Sequence, residues 1–162
     1  MIEHLWYLPA LLAGVAGIYL ATFCHEVGHS LPVLLTGGRV SVSVGSETGR
    51  TASVGPLTVT VGVDGVWNTL RYGFYEPHEP PSKAVRALST LTGPLATVGV
   101  VSLLGAALLS RGTSGPVSFA LEVVFYGELS RAVVTVVPMT YSREPYTGVP
   151  SDGKRFLRLL RS

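Results

Sequence analysis

A long uncharged stretch of the chain lies near its start. Residues 5–24 contain no charged side chain and are mostly apolar. A helix of about 20 apolar residues is long enough to cross the hydrocarbon core of a bilayer. Because backbone polar groups in lipid must bond within the protein, a helix is the simplest form for such a run. The stretch therefore predicts a membrane-spanning helix, which we place at about residues 5–35.

The composition of the whole chain fits an integral membrane protein better than a soluble domain. Hydrophobic residues make up 47% of the 162 positions and charged residues 14%. The charged share is well below the roughly 25% that is usual in soluble globular domains. The formal net charge of +2 is small and there is no basic stripe with interleaved aromatic residues, so we expect no nucleic-acid partner. The length suits a single domain covering residues 1–162.

Two further apolar blocks complete a mainly helical fold. They cover residues 84–109 and 116–137, and a short turn rich in small polar residues separates them. Each block is long enough to span a bilayer. Near the end, Ser151 or Asp152 can cap a short basic helix over residues 154–161. We therefore predict three transmembrane helices and a short C-terminal helix.

The region between the first two helices has the pattern of β-structure. Residues 39–44 and 57–61 alternate apolar and polar side chains, and turn-forming residues lie between them. This alternation predicts a β-hairpin, or a small sheet with a third strand near residues 67–75. An open sheet edge in lipid would leave backbone groups unpaired. The β-rich loop, about residues 39–75, should therefore lie at the membrane surface or in a protein-lined recess.

Three spans determine which loops share a side of the membrane. The N-terminus and the turn at residues 111–115 lie on one side, with the β-rich loop and the C-terminal tail on the other. Nearly all lysines and arginines, apart from Arg111, fall on the second side. Because cytoplasmic loops carry an excess of these residues, we predict an N-terminus outside, with the hairpin loop and C-terminus cytoplasmic.

The pentapeptide HEVGH, residues 25–29, is the candidate functional site. Residues four apart lie on one face of a helix, so His25 and His29 can bind one metal ion, and Glu26 can take a proton from a water beside it. The alternative is two histidines satisfied by neighbouring groups and one solvated glutamate. Ionisable groups within an apolar membrane segment are costly unless they serve a function. The pattern therefore predicts a zinc site with a built-in general base.

The third ligand of such a site has to come from another part of the chain, since a catalytic zinc ion usually has three protein ligands. The candidates are Asp152, Glu122, Glu128 and His78. Asp152 is the first choice because the predicted topology puts it on the same side as the two histidines. Glu128 has a simpler partner in Arg131, three residues on. Glu122 is the second choice, and His78 more simply remains solvated in a loop.

Several segments together resemble the site-2 protease family of intramembrane zinc metalloproteases. HEVGH in a membrane helix is followed by a β-rich loop and by TGPLAT at residues 92–97, which resembles the family's GPxAN segment with Thr97 in the asparagine place. VVP at residues 136–138 and SDG at residues 151–153 resemble its NxxP…DG segment, with Thr135 in the asparagine place. The resemblance covers nearly the whole chain, as a bare three-helix core.

The resemblance implies a full set of site residues and a reaction. His25, His29 and Asp152 would bind zinc, and Glu26 would act as the general base in hydrolysing peptide bonds within or beside a membrane helix. The hairpin would hold the substrate, a single-span membrane protein, by adding it as a further strand. The alternatives are a non-catalytic membrane scaffold or binding protein of the same fold, and a protease that uses Glu122 as its ligand.

Overall fold

A long helix, a small sheet and then further helices follow one another along the chain in the computed structural model, which describes residues 6–63, 72–111, 115–143 and 145–161. In order, the described elements are α1 (Tyr7–Leu35), β1 (Val40–Val44), β2 (Arg50–Val54), β3 (Leu57–Val61), β4 (Gly73–Pro77), α2 (Lys83–Arg111), α3 (Pro116–Val136) and α4 (Asp152–Arg161). The mainly helical class with a sheet between the first two helices is confirmed.

The three long helices pack against one another, and α1 approaches α2 closely. The approach is possible because glycine lies at the contact. A Cβ atom on Gly28 would lie 2.7 Å from the carbonyl oxygen of Thr92 and 2.9 Å from Cβ of Ala96. Small residues let helix backbones meet where larger side chains would hold them apart. The histidine pair of α1 therefore lies directly against α2.

Two helices, Tyr7–Leu35 and Lys83–Ser110, are long and apolar enough to cross a membrane by length and composition alone. In the most apolar stretches of these two helices, 22% and 17% of the residues are buried inside the protein. Among the described residues, α3 does not qualify, since its 21 residues include Glu122, Glu128 and Arg131. By this test α1 and α2 are candidate membrane spans, and the predicted third span is not supported.

The four strands form one sheet in the order β2-β3-β1-β4. Strands β1 and β3 are parallel, with Val40 opposite Leu57. The outer strands β2 and β4 each run antiparallel to their neighbour. The two segments that we predicted to form a hairpin are thus neighbours in the sheet but run in the same direction, so the hairpin prediction was wrong.

The hairpin in the structure joins β2 and β3 through a tight turn in which Gly55 has φ +60°. Strand β2 was missed because its short sequence RTASV follows a run of turn-forming residues. The direction of pairing could not be read from the alternation, because parallel and antiparallel strands share the same period of two. The predicted third strand corresponds to β4, and residues 67–71 of its predicted span lie outside the described residues.

The sheet packs its valine face against α1. Val40, Val42 and Val44 of β1 are fully buried and form an apolar core with Val33 of α1. The serines between these valines point to the other face, as the alternation of a strand requires. The Tyr19 hydroxyl of α1 donates a hydrogen bond of 2.7 Å to the Val44 carbonyl. These contacts hold the neighbouring strand β4 over the second half of α1.

The short helix α4 packs against α2 and α3 and begins at a defined cap. The Ser151 Oγ accepts a hydrogen bond from the backbone N–H of Lys154 and donates one of 2.7 Å to the Val137 carbonyl. Of the two predicted capping residues, Ser151 thus forms the cap. A Cβ atom on Gly153 would lie 1.9 Å from the carbonyl oxygen of Val136, so this close approach requires glycine.

Candidate metal centre

His25 and His29 lie one turn apart on the buried face of α1, as their spacing predicts. Each histidine is 4% exposed. Their Nε2 atoms are 3.1 Å apart, and their ring planes are nearly perpendicular, at 86°. The two imidazoles therefore direct the same type of nitrogen to one point.

Asp152, far along the chain, brings a carboxylate to the same point. Its Oδ2 lies 3.5 Å from Nε2 of His25 and 3.4 Å from Nε2 of His29. Because Ser151 caps α4, the side chain of Asp152 is free to turn toward the histidines. Burial raises the pKa of the Asp152 carboxyl, but hydrogen bonds and charge from the two imidazoles outweigh burial and hold that pKa well below its usual value. The group is therefore an anion at neutral pH.

These three atoms have the spacing of ligands around one metal ion. In a tetrahedral zinc site with bonds of about 2.0–2.1 Å, neighbouring ligand atoms are roughly 3.3–3.4 Å apart. The distances here are 3.1, 3.4 and 3.5 Å. Two imidazoles and a carboxylate are also donor types that catalytic zinc sites use. Within the described residues, His25, His29 and Asp152 form the one His/Cys/Asp/Glu group close enough to hold an ion.

The hydrogen bond of His29 gives a second reason for a cation at this point. Its Nδ1 lies 2.5 Å from the carbonyl oxygen of Ser89, and because a carbonyl only accepts, this Nδ1 must carry the hydrogen. A neutral His29 then turns an unprotonated Nε2 toward the Asp152 carboxylate at 3.4 Å. Two buried acceptors facing each other need a proton or a metal ion between them. The residues present therefore fit a zinc ion.

Helix α2 contacts the Nδ1 atom of each histidine, on the side of the ring away from the candidate metal site. The Thr97 Oγ1 lies 2.7 Å from Nδ1 of His25, and the Ser89 carbonyl contacts Nδ1 of His29. Partners of this kind set the ring orientation of metal-binding histidines. Thr97 is fully buried, and its hydroxyl contacts His25.

Glycine and a tyrosine complete the surroundings of His29. A Cβ atom on Gly93 of α2 would lie 2.2 Å from Nε2 of His29, so the ring can lie here only beside a residue without a side chain. On its other side, the Tyr75 ring of β4 stacks on the imidazole, with centroids 5.2 Å apart and planes at 15°. The ring of His29 is therefore held between α2 and the sheet.

Glu26 lies beside the three ligand atoms without belonging to their group. It is 6% exposed, and its Oε1 would lie 2.5 Å from a Cβ atom on Gly73 of β4. Its carboxylate therefore extends toward the sheet. Glu26 and the three candidate ligands line one cavity of about 620 Å³. A carboxylate that shares a cavity with a metal site can exchange protons with a water molecule there.

The cavity lies between α1, β4, α3 and the chain that joins α3 to α4. Strand β4 contributes residues 73–75, and the joining chain contributes residues 139–143, 145, 146, 149 and 150. The volume falls within the range of roughly 300–1,000 Å³ that is usual for small-molecule sites. The described residues between Val137 and Ser151, which form no helix, therefore line one side of the site.

The predicted ion pair of α3 is confirmed and lies beside this cavity. The Arg131 Nε is 3.2 Å from Oε1 of Glu128, and Arg131 also donates a hydrogen bond to Thr22 of α1. Glu128 is fully buried, so its charge would be costly without Arg131. Glu128 therefore neutralises Arg131 and does not join the histidines.

The other candidates for the third ligand lie elsewhere. Glu122 is exposed on α3 and accepts a hydrogen bond of 3.0 Å from Ser118. His78 is exposed after β4, with its Nε2 2.9 Å from the Ser41 hydroxyl. Of the four candidates, Asp152 is the one that the fold brings to the histidines.

Three contacts of the site were missed by sequence reasoning. Ser89 contributes a backbone carbonyl, which leaves no signal in residue identity. Tyr75 could have been found from the alternation along β4, had that strand been placed correctly. Tyr146, whose hydroxyl reaches Gly73, comes from a stretch without periodicity. Such contacts follow from the packing of distant segments and not from local pattern.

Fold and site together define a helical protein with a small sheet, and a candidate metal centre where the sheet meets the helices. No protein-family model matches the chain, and no curated protein matches it. Function therefore has to be inferred from the chemistry of the site itself.

Proposed function

We propose that the chain is a zinc-dependent intramembrane endopeptidase of the site-2 protease type. The observation that carries the proposal is the convergence of His25 Nε2, His29 Nε2 and Asp152 Oδ2 to within 3.5 Å of one another. The position of Glu26 in the same cavity supports its role as the general base. The resemblance in order and spacing of the HEVGH, GP and DG segments adds to this support.

The proposed reaction divides between the ion and the protein. When bound, a zinc ion supplies a Lewis acid and lowers the pKa of a water molecule toward about 7. Glu26 accepts a proton from the attacking water as the new carbon–oxygen bond forms. Glu26 then returns that proton to the amine nitrogen as the carbon–nitrogen bond breaks. One water is consumed, one peptide bond becomes an acid and an amine, and Glu26 returns to its starting state.

The proposed substrate is an extended segment of a single-span membrane protein. Strand β4 is at the edge of the sheet, and its residues 73–75 line the cavity beside Glu26. An intact helix has already paired its backbone groups, so a substrate helix must unwind locally to add a strand to this edge. Unwinding also exposes the peptide bond that is to be hydrolysed.

The proposed membrane arrangement includes α3 as a third span, with the N-terminus outside and the sheet and C-terminus in the cytoplasm. The distribution of lysine and arginine along the chain supports this orientation. The pairing of Glu128 with Arg131 reduces the cost of two of the three charges of α3 in lipid. Glu122, which is exposed, would then lie near the outer surface of the membrane.

The test compares four purified proteins for zinc content and for cleavage of a single-span substrate in liposomes. Wild type and the His78→Ala control should bind zinc and cleave. Glu26→Gln should keep zinc and lose about 10²–10⁴-fold of the cleavage rate, because general-base catalysis is removed. His29→Ala should lose both the metal and the activity. A Glu26→Gln protein that cleaves at the wild-type rate would rule out the proposed mechanism.

A zinc-holding membrane protein without catalytic activity is the second candidate. The observation that favours it concerns the two threonines in the family's asparagine places. Thr97 contacts His25, and the Thr135 hydroxyl donates to the Arg131 carbonyl in its own helix, so both are engaged within the protein. In this case wild type and Glu26→Gln bind zinc alike and neither cleaves.

A further inference from the structure

The chain between α3 and α4 folds over the cavity as a small structure of its own, which we call the cap segment (residues 138–143 and 145–150). Thr140 and Pro150 form an isolated antiparallel bridge at its base. Within it, the N–H of Tyr141 bonds to the Val149 carbonyl at 2.9 Å, and the N–H of Gly148 bonds to the Tyr141 carbonyl at 2.8 Å. The two ends of the cap segment are thus hydrogen-bonded to each other, and its residues 139–143, 145 and 146 line the cavity.

One side chain of the cap segment contacts the edge of the sheet. The Tyr146 hydroxyl donates a hydrogen bond of 2.7 Å to the Gly73 carbonyl and accepts one of 2.7 Å from the Gly73 N–H. The Tyr146 ring lies parallel to that of Tyr72, with centroids 6.3 Å apart and planes at 1°. A single hydroxyl therefore satisfies both backbone groups of Gly73.

The same two groups of Gly73 are those that an added strand would use. In an antiparallel pair, the backbone groups of alternate residues face the partner strand. The Tyr72 carbonyl accepts a hydrogen bond from the N–H of Gly45, so the even-numbered residues at β4 face β1. Gly73 and Tyr75 therefore turn their N–H and carbonyl groups to the open edge.

We propose that Gly73 and Tyr75 are the positions that hold the backbone of an extended peptide, and that the Tyr146 hydroxyl occupies Gly73 until the peptide displaces it. The inference rests on the proposed function, because it concerns the substrate of that same site. Glu26 lies directly beside Gly73. A peptide paired at Gly73 would thus run past the general base, and the cap segment acts as an internal competitor of the substrate.

The chemistry of the phenol suits this role. Burial and the nearby charge of Glu26 raise the pKa of Tyr146 above its ordinary value, so the hydroxyl keeps its proton at neutral pH and can donate. Removing the hydroxyl leaves both Gly73 groups without their partner in the closed form. A peptide strand can still bond to these two groups. Loss of the hydroxyl therefore favours the peptide-bound state over the state in which Tyr146 contacts Gly73.

The first experiment measures binding of a fluorescent single-span peptide to full-length protein in liposomes. All proteins carry Glu26→Gln, so that no cleavage interferes, and the comparison is between no further change, Tyr146→Phe and Tyr126→Phe. Tyr126 is 62% exposed on α3 and is the matched control. Tyr146→Phe should bind about three- to tenfold more tightly, the effect of roughly one net hydrogen bond, and Tyr126→Phe should bind as the parent does.

Two outcomes overturn the inference: equal or weaker binding by Tyr146→Phe, or no binding by any variant. The result is independent of cleavage. If Tyr146→Phe binds more tightly but no active-site-intact protein cleaves, the inference stands and the protease assignment falls. If the intact protein cleaves and Tyr146→Phe leaves its KM unchanged or raises it, the protease assignment stands and the inference falls.

The second experiment follows amide hydrogen exchange of residues 72–77, with zinc content as the check on folding. Without peptide, Tyr146→Phe should exchange faster at the Gly73 amide than the parent, because its hydrogen-bond acceptor is gone. Added peptide should slow exchange there again in both proteins. Exchange that is equally slow in both without peptide would show that Tyr146 does not protect this edge, and would contradict the proposal.

Discussion

The two halves of α1 differ in what they bury, although they form one continuous helix. In residues 7–20 the buried positions are Ala10 and Gly14, and Leu12 and Leu20 are each 62% exposed. In residues 21–35 the buried positions include a group of polar side chains: Thr22, His25, Glu26, His29 and Ser30. Two leucines of this second half face outward, with Leu31 47% and Leu35 84% exposed, while Leu34 packs against the valine core.

This difference shows what each half is built to contact. In the first half, the atoms nearest to a Cβ atom on Gly14 or Gly17 would be valine side chains of α3, at 2.9 and 2.5 Å. In the second half, the atom nearest to a Cβ atom on Gly28 would be the backbone carbonyl oxygen of Thr92 in α2, at 2.7 Å. A helix surrounded by lipid is expected to bury its polar side chains against the protein and to turn its leucines outward. The first half thus provides apolar surface, and the second provides a rigid site.

The largest expected effect tests the close contact between His29 in the second half of α1 and Gly93 of α2. Gly93→Ala should lose zinc, because the added methyl would overlap the Nε2 of His29. Gly99→Ala in the same helix is the matched control, since a Cβ atom there would have no heavy atom within 4 Å. The control should bind zinc normally and gain up to about 1 kcal/mol of helix stability. Zinc content and thermal unfolding measure both, and a zinc-loaded Gly93→Ala protein would contradict the rigid contact.

The next effect tests whether the outward leucines of the first half face lipid. Leu20→Lys, near the middle of α1, should oppose membrane insertion by about 2.5–3.5 kcal/mol, the cost of lysine at the centre of a span. Leu35→Lys at the helix end should cost little, because its ammonium can reach water. The inserted fraction of each protein in a translocon assay measures the cost. Equal insertion of the two variants would argue that the first half does not cross a bilayer.

The smallest expected effect tests whether the Thr97 hydroxyl of α2 orients the ring of His25. Thr97→Val keeps the shape of the side chain and removes the hydroxyl on Nδ1 of His25. Zinc affinity, measured by competition with a chelator, should fall by about 10–100-fold, as is usual when such a partner is lost. Thr97→Ser should restore most of the affinity because it restores the hydroxyl. A Thr97→Val protein with wild-type zinc affinity would show that α2 does not orient the ring.

The helices and the histidine pair could be predicted because they depend on residues close together in the chain. The apolar runs located α1, α2 and α3 to within a few residues, and the spacing of His25 and His29 placed them on one face. Charge in α3 is the reason that its predicted span is not supported on composition. The alternation of β1 correctly showed which side chains are buried, but not which strand pairs with it or in which direction.

The sequence by itself determined the helical periodicity and the common face of the two histidines, and it left Ser151 and Asp152 as alternative caps of the last helix. Only the tertiary structure decided that Asp152 and not Glu122 meets the histidines, that β1 and β3 run parallel, and that Tyr146 reaches Gly73. The physical reason is that helix and strand periodicity depends only on residues a few positions apart in the chain. Contacts between remote segments depend instead on how closely helices approach, and here the glycines at the α1–α2 contact set that distance.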